Sequence, residues 1–252
     1  MSAISPTPLS EPSLPSVQSP TSQLGERKPT NTEIGLSWIS LWDFFDGLTQ
    51  GIARRWDREV RRRQVGRAYD MALEITQHVP VGARVLDVGC GNGFIAHHLT
   101  ALLGAPVSGI DVAKSTAARI NYQQYDGRRF PVSDEGFDAA LFCYVLHHAQ
   151  GLDEIFRELR RTLRPGGLLI VYEDIPAHWW DRIVCGIHNR KWRPRTGPCT
   201  FRGEREWHDT FASQGFKLCY TRPLSRWRKI VHPVSRRLFV LRMKVAVFSP
   251  PK

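Results

Sequence analysis

The chain has 252 residues, 42% of them apolar, and carries 35 Lys+Arg against 24 Asp+Glu for a formal net charge of +11. That length suits one large domain and leaves two small ones open. The longest uninterrupted apolar runs, such as Ala139–Leu146, have eight residues, against the ~20 needed to span a bilayer. A surface this positive favours phosphate-rich partners, anionic lipid head groups or acidic small molecules, and it leaves the fold open.

The charge is uneven. From Arg190 to Lys252 there are 16 Lys+Arg against three acids, and Arg54–Arg67 holds seven Arg against Asp57 and Glu59. Five scattered cysteines (Cys90, Cys143, Cys185, Cys199, Cys219) suit reduced thiols and a cytoplasmic location, with peripheral contact at a membrane left open. The first thirty residues lack the charged and apolar blocks of a secretory signal.

Residues 1–33 carry six prolines and no hydrophobic periodicity, which predicts a disordered Ser/Pro-rich tail. An N-terminal helical lid follows over 34–80. Trp38, Leu41, Trp42, Phe45 and Leu48 make one apolar stripe, and a second helix from Arg54 has Val60, Val65, Ala68, Met71, Ala72 and Ile75 on its inner face. Beyond Pro80-Val81-Gly82, strands and helices alternate. The predicted order is strand Arg84–Val88, a glycine loop, helix Phe94–Leu103, strand Pro106–Ile110, a short helix Ala113–Ile120, strand Tyr122–Tyr125 and strand Phe137–Tyr144. Helix Leu152–Leu163 comes next, stopped by Pro165-Gly166-Gly167, and then strand Leu168–Tyr172. That rhythm predicts a parallel sheet covered by helices on both faces. The rest, 174–252, reads as a substrate-side insertion and the last strands of the same domain. Asp174–Arg202 shows little period, Glu204–Ser213 is helical, and Phe216–Thr221 and Leu238–Val247 are strands.

The chemistry concentrates in Val85-Leu86-Asp87-Val88-Gly89-Cys90-Gly91-Asn92-Gly93. Glycines let backbone N–H groups approach a ligand, and the following helix points its positive end at the same place. Asp111, 18 residues after Gly93, ends the second strand, where a carboxylate can accept both hydroxyls of a ribose. Asp126-Gly127 ends the third. A nicotinamide-dehydrogenase fingerprint would place glycine at position 94, where this chain has Phe94.

Together with Phe130-Pro131, Phe137-Asp138, Leu146-His147-His148 and Leu163–Gly167, these motifs resemble those of class I S-adenosylmethionine-dependent methyltransferases over residues 83–173. The resemblance implies a Rossmann-like α/β fold: a seven-stranded, mostly parallel sheet with helices on both faces and the last strand antiparallel. It assigns 81–173 to the S-adenosylmethionine-binding core. It also implies that Asp87, Gly89, Cys90, Gly91 and Gly93 hold the methionine end of the cofactor, Asp111 the ribose, Asp126 and Gly127 the adenine side, and Cys143 the methionyl amine. The short distance from Asp111 to Asp126 departs from the family pattern and implies an abbreviated second helix.

Methyl transfer is an in-line displacement in which the protein supplies alignment and, for some acceptors, a base. His147, His148 and Tyr144 are the catalytic candidates, with a structural role for the histidine pair as the competing reading. Trp38, Trp42, Trp179, Trp180 and His188 are the candidate acceptor walls. No Asn/Asp-Pro-Pro-aromatic run follows the fourth strand, which argues against an amino group on a nucleic-acid base. Cys185-x-x-His188 with Cys199 lacks the second paired spacing of a zinc site, so no metal is expected. The function expected is methyl transfer to a small or lipid-like acceptor. Two alternatives remain open: an RNA methyltransferase using the basic C-terminal third, and a peripheral membrane-binding protein with a vestigial core.

Overall fold

The computed structural model describes residues 38–224 and 234–245, with side chains described from residue 53. The predicted disordered tail lies outside the described residues. The chain divides into two units, residues 1–52 and 53–252. In place of two helices there is one, α1, Trp38–Ile75. Its buried face begins later than the sequence suggests: Ala68, Ala72 and Ile75 are buried, whereas Val60 is exposed.

The second unit is built on a seven-stranded sheet. The strands are β1 (Val85–Val88), β2 (Val107–Asp111), β3 (Asn121–Gln124), β4 (Phe137–Cys143), β5 (Leu163–Asp174), β6 (Phe216–Leu224) and β7 (Arg236–Met243). Their order across the sheet is β3-β2-β1-β4-β5-β7-β6. β1 to β5 pair in parallel, and β7 runs antiparallel to both β5 and β6. The order reverses between β1 and β4, and in open α/β sheets the crevice at such a reversal, beyond the carboxyl ends of the strands, is where ligands bind.

Period-2 alternation separates the two faces. Leu86, Val88, Ala140, Phe142, Leu169, Val171, Phe239 and Leu241 pack on one side with Phe156, Leu159, Trp207 and Phe211. Val85, Ala139, Leu141, Ile170, Tyr172, Leu238 and Val240 pack on the other with Ala72, Ile75, Leu99 and Leu103. The covering helices are α2 (Phe94–Leu103), α3 (Leu152–Thr162) and α5 (Glu204–Ser213), together with the end of α1. α3 carries Asp153 and Glu154 in its first turn and Arg160 and Arg161 in its last, complementing its dipole.

Two elements differ from expectation. Ala113–Ile120 is a run of bends and irregular backbone rather than a short helix. Asp111 Oδ1 accepts the Ala113 N–H at 2.9 Å, and the Tyr122 hydroxyl donates to the Ala113 carbonyl, so local side-chain bonds replace the first helical turn. Conversely, 174–202 contains an 18-residue helix, α4 (Trp179–Thr196). Its buried Asp181 reaches back to accept the His178 and Ala177 N–H groups at 3.1 Å. Such a cap starts a helix that hydrophobic periodicity does not announce. Among the described residues no helix is long and apolar enough to cross a membrane.

Candidate functional site

At the carboxyl edge of β1 and β2 the glycine loop is closed by backbone and carboxylate bonds. Gly89 N–H and Cys90 N–H donate to the Ile110 carbonyl at 2.7 and 3.1 Å. Asp111, half-buried, accepts the Gly91 N–H on Oδ2 at 2.8 Å. Gly89 has φ +70°, and a Cβ there would stand 2.6 Å from a methyl of Val145. Gly91 has φ +53°, with no side chain within 4 Å of the position its Cβ would take. The loop therefore presents bare backbone to the space beside it.

Asp87 is buried, and none of the described residues donates a hydrogen bond to its carboxylate. Desolvation, followed by the negative charge of Asp111, pushes its pKa up from 3.8 to about 7. A buried acid held next to a second acid is in a setting that a cationic ligand would relieve. Cys90 lines the loop beside Gly109, with its thiol pKa pushed up by burial and by Asp87 and Asp111. Asp126 is exposed after β3. Its Oδ1 accepts the Arg128 and Arg129 N–H groups at 2.8 and 2.9 Å, and these bonds lower its pKa. Gly127 follows with φ +83°. Topology thus brings Asp87, the loop, Asp111 and Asp126 to one edge of the sheet.

Past β4 the chain turns sharply. Tyr144 has the left-handed φ of 62°, and its hydroxyl accepts from Arg236 Nη1 at 3.1 Å. A 3₁₀ turn, Leu146–His148, follows. Glu173, buried near the end of β5, holds that turn with both oxygens. Oε1 accepts the Leu146 N–H and Oε2 meets His147 Nδ1, each at 2.7 Å. Burial lowers the His147 pKa, but the Glu173 hydrogen bond and charge outweigh it, and the net shift is upward. His148 moves the other way, to about 4, through desolvation and then through His147 and His188.

The residues named from the sequence fall into three groups. Asp87, Gly89, Cys90, Gly91, Gly93, Asp111, Asp126, Gly127 and Cys143 sit at strand ends or in the loop on one edge. His147, His148 and His188 come together: His188 Nε2 lies 3.3 Å from His148 Nε2, and the His147 ring stacks on Phe201 at 4.7 Å. Trp179 and Trp180 meet edge-to-face at 5.6 Å but are 72% and 51% exposed, so they stand at the surface rather than enclosing a pocket. Trp38 and Trp42 lie in α1, and their side chains are outside the described ones. Sequence reasoning missed Glu173, Asp174 and Arg236. The pair Glu173-Asp174 was legible as acids ending a parallel strand, whereas Arg236 gave no signal, since only pairing of β7 with β5 sets it opposite Asp174.

Residues 86–171 match a family described as a methyltransferase domain. A sterol 24-C-methyltransferase of Gibberella zeae is 30% identical over 136 residues, covering 46% of this chain and 36% of the relative. The methyltransferase GfsG of Streptomyces halstedii is 32% identical over 122 residues, covering 43% and 44%. This chain spans less than half the length of these relatives. Among solved structures, an S-adenosylmethionine-dependent methyltransferase of Methanosarcina mazei superposes with a TM-score of 0.54 at 18% identity, covering 68% of this chain and 97% of that one. The [4+2]-cyclase SpnF superposes at 0.56 and 20% identity, covering 71% and 82%. Residues 86–171 thus carry a methyltransferase domain, and the sheet around them has the fold of S-adenosylmethionine-dependent methyltransferases.

Proposed function

We propose that this chain transfers the methyl group of S-adenosylmethionine to a small, lipid-like acceptor. The observation that carries the reading is the carboxyl edge around the β1/β4 reversal. There a buried acid without a donor among the described residues, a loop of bare backbone and the Asp111 carboxylate stand together. These residues would fit the cofactor: Asp87 would offer a negative partner to its ammonium or sulfonium, the α2 N-terminus would meet its carboxylate, and Asp111 would accept from the ribose hydroxyls. When bound, the cofactor supplies an activated methyl carbon, so the protein's work is alignment and exclusion of water.

On the acceptor side, Glu173 fixes the Leu146–His148 turn and with it the end of β4. Tyr144, tied to Arg236, and His148, held neutral, are the groups from this chain able to orient an acceptor hydroxyl or take its proton. The lipid-like class is supported by relatives named as sterol methyltransferases. The [4+2]-cyclase SpnF shares the fold, so the fold alone does not set the reaction.

The test is calorimetric titration with S-adenosylhomocysteine, followed by transfer of labelled methyl from S-adenosylmethionine to a panel of sterols, other apolar hydroxyl compounds and RNA. Saturable binding with label in the organic extract supports the reading. Absence of binding removes the enzyme assignment, and label confined to RNA replaces the acceptor class.

A further inference from the structure

We infer that His147, His148 and His188 form a binding site for a divalent transition metal, with zinc the ion their chemistry suits best. One ring nitrogen of each lies within 4.8 Å of the others, and no described Cys, Asp or Glu joins that group. His148 Nε2 and His188 Nε2 stand 3.3 Å apart. Two nitrogens bound tetrahedrally at about 2.0–2.1 Å from one zinc are separated by about 3.3–3.4 Å.

The surrounding bonds select the nitrogens that a metal needs. His147 Nδ1 is taken by Glu173 at 2.7 Å, which leaves Nε2 as the free atom. That Nε2 is buried and has no hydrogen-bond partner, an expensive condition for a polar atom in a ring 1% exposed. His148 Nδ1 lies 3.1 Å from Thr196 Oγ1, whose own hydroxyl donates to the Trp192 carbonyl at 3.3 Å. With Nδ1 on Thr196, the His148 ring turns its Nε2 toward His188. A carboxylate or hydroxyl holding the far nitrogen of a ligating histidine is the usual way a protein aims that ligand. Cys199 Sγ lies 3.3 Å from the same His148 Nδ1 and so supports the ring at the nitrogen that does not face His188.

A direct N–H···N bond between His148 and His188 accounts for one pair and leaves His147 Nε2 buried without a partner. A metal would engage all three once the nitrogens, now within 4.8 Å of one another, draw in to tetrahedral spacing. The scaffold is stiff: Gln150 Nε2 lies 3.0 Å from the carbonyls of His148, Thr196 and Pro198, and the Thr200 N–H donates to the His147 carbonyl at 2.7 Å. These bonds join the end of α4 to the turn after β4. Three histidines leave the fourth position of a tetrahedral ion to water or to a heteroatom of a bound molecule. This departs from the expectation of no metal. Paired Cys/His spacing within 185–199 does not reveal a site whose other two ligands lie 40 residues upstream.

The inference concerns metal binding and stands whether or not the chain transfers methyl groups; where it holds, His148 is a ligand and not the proton acceptor considered above. Its test is titration of the full, chelator-treated protein with cobalt(II), read by the visible absorption of four-coordinate cobalt, and then with zinc as competitor. One cobalt per chain is expected, displaced by zinc. His188→Ala and His148→Ala should each weaken binding at least 100-fold, and Glu173→Gln about 10- to 100-fold. The remote His97→Ala should leave affinity unchanged. Circular dichroism of each variant separates ligand loss from unfolding. A wild-type protein with no saturable cobalt spectrum, or folded His188→Ala and His148→Ala variants that bind as the wild type does, overturns the site.

Discussion

The Asp111 carboxylate holds the Gly91 N–H at 2.8 Å through one oxygen and the Ala113 N–H at 2.9 Å through the other. One side chain thus ties the glycine loop after β1 to the bend that replaces a helix after β2. Asp111→Ala removes both anchors at once. S-adenosylhomocysteine affinity is expected to fall at least about tenfold, with stability down by about 1–3 kcal/mol for the lost charged hydrogen bonds. Calorimetry and urea denaturation measure the two effects separately, and unchanged affinity would remove Asp111 from the cofactor site.

Asp87 gives the fold a pH dependence. Its pKa is about 7 in the folded chain against 3.8 as the ordinary value, so the native state keeps a proton that the unfolded state releases. Its contribution is fully present below pH ~4 and is lost as pH rises through about 7. Ligand-free protein should therefore lose stability between pH 5 and 8, and Asp87→Asn should flatten part of that slope. Binding of the cationic cofactor favours the ionised carboxylate, so affinity should tighten over the same range by up to about tenfold in the wild type only. Denaturation midpoints and calorimetry at pH 5, 6.5 and 8 check both signs.

Gly89 combines a left-handed φ with a Cβ position 2.6 Å from Val145. Gly89→Ala should cost about 2–4 kcal/mol, from backbone strain and overlap together. Adding Val145→Ala removes the overlap and leaves the strain, so the double variant should recover stability relative to Gly89→Ala with Val145 intact. A double-mutant cycle that is simply additive would sink this account.

Glu173→Ala leaves two buried donors unpaired, Leu146 N–H and His147 Nδ1–H. A loss of about 2–5 kcal/mol is expected by chemical denaturation. Glu173→Gln keeps one carbonyl acceptor and should cost roughly half as much. Equal losses in the two variants would indicate that packing, not these bonds, accounts for the effect.

The strands β1, β2 and β4 were readable because each is a short stretch with apolar residues bounded by glycine or acid, and the sheet buries both of its faces. The acids and glycines of the carboxyl edge were readable because position at a strand end is something local sequence encodes. Helix α4 was not readable. Its polar and aromatic residues lack an amphipathic period, and its start depends on Asp181, which Ser235 also contacts from far along the chain. The short helix after β2 failed because Asp111 and Tyr122 take its first-turn partners.

What the sequence determined by itself, then, is the alternation of elements and the carboxyl-edge constellation of Asp87, Gly89, Gly91, Asp111 and Asp126, because strand ends and left-handed glycines are local properties. What only the tertiary structure decided is the far wall: His147 on Glu173, His148 against His188, Tyr144 under Arg236. Those contacts join residues 26, 40 and 92 positions apart. No periodicity specifies them, and they form only because β5, β7 and α4 fold back onto the end of β4.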